Sequence, residues 1–166
     1  MAEQIQRRVN SLGLILAAVI APPFSATLCL GVSFLISTIG DGTPLVDLSV
    51  IGPFAFIVGL VTVWGFIPAV LFGLIGMRMA ETRVADHARW PWSLAGALSA
   101  AGYCAVGAGV GMISNPLGTL IAPWFALLAM DASTTDPVFS GLVIGSIIAS
   151  GGVAGSVYRT VRGIMG

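Results

Sequence analysis

Four stretches of this chain contain no charged residue and are long enough to cross a bilayer: 12–39, 50–77, 91–113 and 138–157. A hydrocarbon core about 30 Å thick needs roughly 20 apolar residues at 1.5 Å rise each. Hydrophobic residues make up 57% of the 166 and charged residues only 8%. A soluble domain carries about 25% charged residues and has too little interior to hide the remainder. The sequence therefore predicts an all-α integral membrane protein, a four-transmembrane-helix bundle forming one domain over residues 1–166.

The few charges are sorted. Arg7 and Arg8 precede the first stretch, Arg78, Arg83 and Arg89 lie between the second and third, and Arg159 and Arg162 follow the fourth. The segments on the other side carry Asp41, Asp47, Asp131 and Asp136 and no basic residue. Because arginine-rich loops stay cytoplasmic, this pattern predicts both termini and the loop 78–90 inside, with 40–49 and 114–137 outside. All seven basic residues are arginine and the chain is rich in Ala, Gly and Val. That usage points to a GC-rich bacterial gene, and so to the inner membrane of a bacterium.

Arg7 and Arg8 before an apolar run also resemble the start of a secretory signal, with Phe24, Ser25 and Ala26 as a cleavage region. The run continues well beyond the 7 to 15 residues of a signal core, so the first span is expected to remain. Trp90, Trp92 and Tyr158 fall at span ends beside arginines and are expected to anchor at headgroup depth.

Pro22 and Pro23 fall within the first span and Pro68 within the second, where each removes a backbone donor, so kinks are expected there. Ser25 and Thr27 stand close enough in sequence to satisfy the carbonyls freed in the first span. Residues 119–130 form an apolar stretch too short to cross the bilayer as a helix. With Asn115-Pro116 as start chemistry, they predict a short interfacial or re-entrant helix between spans three and four. In the loop 78–90, Arg78 and Glu81, Arg83 and Asp86, and Asp86 and Arg89 are three residues apart, the spacing of exposed ion pairs along a helical extension of the second span.

Helices in lipid associate through close backbone approach, which small residues four apart permit. The candidate packing residues are Gly141, Gly145 and Ala149 on one ridge of the fourth span, Gly151 and Gly155 on a second, and Gly107 and Gly111 in the third. Ser25, Ser33 and Ser37, with Ala21 and Cys29, follow the same spacing in the first span and are the candidate polar lining of any water-filled path.

No span contains Asp, Glu, Lys, Arg or His. Ion-coupled transporters hold such a residue in the membrane, so that class is disfavoured. One histidine and two cysteines cannot assemble a metal or haem site. Counted along their helices, Cys29 and Cys104 differ in depth by roughly 9 Å, too far for a disulfide, and are expected as free thiols. No cofactor, nucleic-acid partner or catalytic constellation is expected. The sequence leaves a non-enzymatic accessory, assembly or self-associating subunit as the leading expectation, with the bilayer, a second copy or a larger membrane complex as partners. The alternative is a small channel, transporter or lipid-handling protein, which a hydrated cavity lined by the first-span serines would favour.

Overall fold

The computed structural model describes residues 2–41, 51–83, 90–113 and 137–165, with side-chain surroundings for 11–36, 38–39, 52–53, 55–82, 90–109 and 140–163. Among the described residues every element is a helix: α1 Ala2–Asp41, α2 Ile51–Arg83, α3 Trp90–Ile113 and α4 Pro137–Met165. The expected short helix at 119–130, His87, Asp47, Asp131 and Asp136 lie outside the described residues, as do the pairs of Asp86 with Arg83 and Arg89.

The helices outrun the apolar stretches wherever no breaker intervenes. At 1.5 Å per residue the 40 residues of α1 reach about 60 Å, twice the thickness of a hydrocarbon core. α2 continues through Met79 and Ala80 to Arg83, so the first half of the expected loop 78–90 is helix. Pro91 and Pro137 stand in the first turns of α3 and α4, where a missing N–H costs nothing. Pro22, Pro23 and Pro68 lie inside α1 and α2 without ending either helix.

Each helix packs on its sequence neighbours, and α4 closes the ring on α1. Two core clusters show the alternation of direction. Leu14 from early α1, Met77 and Ala80 from late α2, Trp92 from the start of α3 and Tyr158 from late α4 meet at one end. Ala26 and Cys29, Val61, Tyr103 and Cys104, and Val143 and Ile147 meet toward the other. This is an up-down-up-down bundle, with Arg162 at the same end as the first turns of α3.

Three helices contain a stretch long and apolar enough to cross a membrane: Ser11–Ile36, Ala55–Thr82 and Ser140–Gly163. The helices are unequally enclosed. Within the apolar 18-residue windows of α1 and α4, 33% and 28% of residues are buried, against 6% in that of α2. Along α2, Phe56, Val63, Ile67, Leu71 and Ile75 all face outward. Among the described residues, that helix is one wall of the bundle and leaves most of its surface uncovered.

Candidate functional site

The closest helix contact joins α3 and α4. A Cβ on Gly151 would lie 2.5 Å from the Gly96 carbonyl oxygen and 2.6 Å from Ala100 Cβ. A Cβ on Gly155 would collide with the Trp92 carbonyl, and one on Gly96 with the Gly151 carbonyl. Only glycine lets these two backbones touch, which is how helices gain dispersion contact where no water drives them together. Ser93 adds polar stitching: its hydroxyl donates to the Gly152 carbonyl at 2.7 Å, and Ser156 Oγ lies 2.7 Å away. The single Ser93 proton is used on the carbonyl, so Ser156 is the donor in the second bond.

The small residues marked in the sequence therefore part company. Gly151 and Gly155 lie in this seam. Gly141, Gly145 and Ala149 face outward on α4, and a Cβ on either glycine would meet nothing within 4 Å. Gly107 is buried in α3, and the surroundings of Gly111 lie outside the described residues. Gly96, which receives Gly151, was not among the candidates, although Ala100 four residues later is the same spacing signal. Gly76 was also missed; it sits against Ser99 and Ala95, two residues whose spacing the sequence does show.

Of the first-span serines, the side chains of Ser25 and Ser33 are described, and both hydroxyls are engaged. Ser25 is buried with its Oγ 3.2 Å from Ser146 Oγ on α4, so it links helices instead of serving the carbonyls freed by the prolines. Ser33 donates to the Cys29 carbonyl of its own helix at 2.9 Å. The side chain of Ser37 lies outside the described residues. Pro22 packs on α2, where a Cβ on Gly65 would lie 3.0 Å from Pro22 Cβ.

The arginine-bearing end holds a cluster that the sequence reading misplaced. Trp92 is fully buried and Tyr158 only 2% exposed, so neither is a headgroup anchor; Trp90, 69% exposed, is the ring free to take that position. The two buried rings lie 5.5 Å apart at a 35° tilt, and Arg162 sits 5.5 Å from the Trp92 ring centre. Tyr158 donates to Glu81 Oε1 at 3.0 Å, and Arg162 Nη1 lies 3.3 Å from the same oxygen. Glu81 was expected to pair with Arg78 along α2. It reaches across to α4, where the Tyr158 hydroxyl and Arg162 Nη1 both meet its Oε1. Trp92 Nε1 has no hydrogen-bond partner. An orphaned donor costs about 1–3 kcal/mol, so ring stacking and the Arg162 cation hold this indole in place.

Between the four helices lies a cavity of about 100 Å³, bordered by Pro22 and Ser25, Gly65 and Pro68, Ser99 and Ser150 among others. Cys29 and Cys104 are buried, unbridged and members of one core cluster with Tyr103 and Val143. Among the described residues no three His, Cys, Asp or Glu side chains gather as metal ligands do. No family model, curated protein or solved structure matches this chain.

Proposed function

We propose that the protein is a four-span protein of a bacterial inner membrane, with both termini and the loop 78–90 cytoplasmic, acting as a non-enzymatic accessory, assembly or self-associating subunit. The observation that carries this reading is the outward ridge of Gly141, Gly145 and Ala149. Glycine in a helix interior costs about 0.8–1.0 kcal/mol relative to alanine. The glycines of the α3–α4 seam recover that through backbone contact, whereas a Cβ on Gly141 or Gly145 would meet no atom of the described residues within 4 Å. Their four-residue spacing suits a further membrane helix, from a second copy or another subunit. The weakly enclosed α2 leaves a second broad apolar face.

Gentle low-detergent purification of the tagged protein from its native membrane, with mass determination and identification of co-purifying chains, tests this. A stoichiometric partner or a defined homo-oligomer that Gly145→Leu dissociates is the expected result. A monodisperse monomer, unaffected by Gly145→Leu, would sink the reading and turn attention to flux assays in liposomes.

A further inference from the structure

Pro22 deprives a buried carbonyl of its helical donor, and it does so on the wall of the central cavity. Having no N–H, it cannot close the bond that the Ala18 carbonyl would otherwise make one turn along the helix. Ala18 is only 3% exposed, and Ala18 and Pro22 both border the cavity, so the oxygen between them lies on that wall. A buried acceptor without a donor costs about 1–3 kcal/mol. Away from bulk water, the donor has to come from a neighbouring helix, a side chain or a trapped water.

The serines that border the cavity have already placed their protons. Ser99 donates to the Ala95 carbonyl at 2.9 Å and Ser150 to the Ile147 carbonyl at 2.7 Å. Ser146 donates to the Val143 carbonyl, so Ser25, whose Oγ lies 3.2 Å from Ser146 Oγ, is the donor in that pair. Each of the three bordering hydroxyl oxygens still has lone pairs with which to accept. The wall therefore offers acceptors from three helices: the Ala18 carbonyl and Ser25 on α1, Ser99 on α3 and Ser150 on α4. A hydrocarbon would leave all of them unpaired, whereas a small molecule with two protons to donate joins them in pairs. Water is such a molecule, and about 100 Å³ is available for it. At about 30 Å³ each, roughly three waters fill that volume.

We propose that the cavity is an internal hydration site, in which one water donates to the Ala18 carbonyl and its neighbours bridge the serine oxygens of α1, α3 and α4. Glycine and alanine along the rest of the wall leave the room that these waters occupy. A buried water makes about three hydrogen bonds, so this small cluster links helices whose own hydroxyl protons are committed elsewhere. The Ser-to-backbone bonds stay intact, because the waters need only the oxygen lone pairs.

The test is X-ray radiolysis of the full-length protein in phosphatidylethanolamine–phosphatidylglycerol vesicles. Modified residues are mapped by peptide mass spectrometry, and each rate is divided by that of the unfolded chain. Radiolysis makes hydroxyl radicals from water where it stands, so a buried ring is modified only when water adjoins it. Tyr103, which borders the cavity, is expected to be modified severalfold faster than Trp92, which is fully buried and does not border it. Ala69→Leu places a larger side chain in the cavity and is expected to lower the Tyr103 rate severalfold while leaving that of Trp92 unchanged. Equal rates at the two rings in the native chain, or a Tyr103 rate indifferent to Ala69→Leu, overturns the proposal. Should Ala69→Leu fail to fold, the native chain decides alone: faster modification of Tyr103 than of Trp92 supports the hydration site, and equal or slower modification refutes it.

Discussion

Tyr158 and Glu81, 77 positions apart, are joined by a 3.0 Å hydrogen bond from the phenol to Oε1. The bond ties the end of α2 to α4, across a bundle in which α2 is otherwise lightly held. Arg162 reaches the same oxygen at 3.3 Å, with the two side chains 22% and 32% exposed. Ion pairs at that exposure contribute about 0–1 kcal/mol, whereas the phenol is buried and loses its acceptor if the carboxylate goes.

The first prediction follows from that asymmetry. Glu81→Gln keeps an oxygen for Tyr158 and loses only the charge, so it is expected to cost less than about 1 kcal/mol. Glu81→Ala strands the buried hydroxyl and is expected to cost about 1–3 kcal/mol. Thermal unfolding in detergent checks the ordering. In a Tyr158→Phe background most of the Glu81→Ala penalty is expected to disappear; a penalty of the same size there means that the phenol–carboxylate bond contributes nothing.

A second prediction separates the two ridges of α4. Gly151→Leu drives a side chain into the Gly96 carbonyl and Ala100, and backbone cannot rotate aside as a flexible side chain can. Overpacking costs typically about 1–3 kcal/mol, more where backbone must part, so this variant is expected to lose the α3–α4 contact and the monodisperse fold. Gly145→Leu projects into open space and is expected to leave helicity and melting of the isolated chain within about 0.5 kcal/mol. Equal destabilisation by the two would contradict the observed arrangement of α4.

What the sequence disclosed, and what it hid, divides along the same lines. Helix positions could be read because charge-free runs of span length admit few other structures, and their boundaries shifted only where no proline or glycine stopped the next turn. The small-residue spacing on α4 was legible as well, yet its allocation was not. Gly141 and Gly151 are ten residues apart, about 1000° of helical rotation and so some 80° from the same face. Which of the two faces meets α3 depends on Gly96, and no pattern within α4 contains that information. Trp92 and Tyr158 were misplaced for a related reason. An aromatic ring beside arginine at a span end is normally interfacial, and only the approach of α3 to α4 turns these two rings inward. Glu81 looked like a member of an intrahelical pair because sequence spacing shows neighbours on one helix and is blind to a donor on another.

The serine contacts give a third prediction. Ser93 bonds both Gly152 and Ser156, and Ser25 meets Ser146, so both pairs span a helix–helix contact. Interhelical hydrogen bonds in membranes average about 0.6 kcal/mol by double-mutant cycles. Ser93→Ala combined with Ser156→Ala is expected to show coupling of about that size, and Ser25→Ala with Ser146→Ala the same. The Ser93 cycle should be the larger, since its 2.7 Å separation is shorter than the 3.2 Å of the other pair. Strict additivity in both cycles would mean that these hydroxyls are satisfied within their own helices.

The last prediction concerns the two thiols and the direction of the chain. Cys29 and Cys104 are buried among Ala26, Val61 and Ile147, and neither is bridged. A thiolate, the form that reacts, is disfavoured in apolar surroundings, so both cysteines are expected to resist maleimide in sealed membranes and to react fully once the protein is unfolded. That silence makes the native chain its own background for topology. A cysteine introduced at Ala85 is expected to react with a membrane-impermeant maleimide only in inverted vesicles, because arginine-rich segments remain cytoplasmic. A cysteine at Ser133 is expected to react only in right-side-out vesicles, since 114–137 carries acids and no arginine. Reaction of both sites from one side would remove an odd number of crossings between residues 85 and 133, and with it the assignment of α3 as a span. Reaction of each from the side opposite to that expected would preserve the four crossings and invert the orientation.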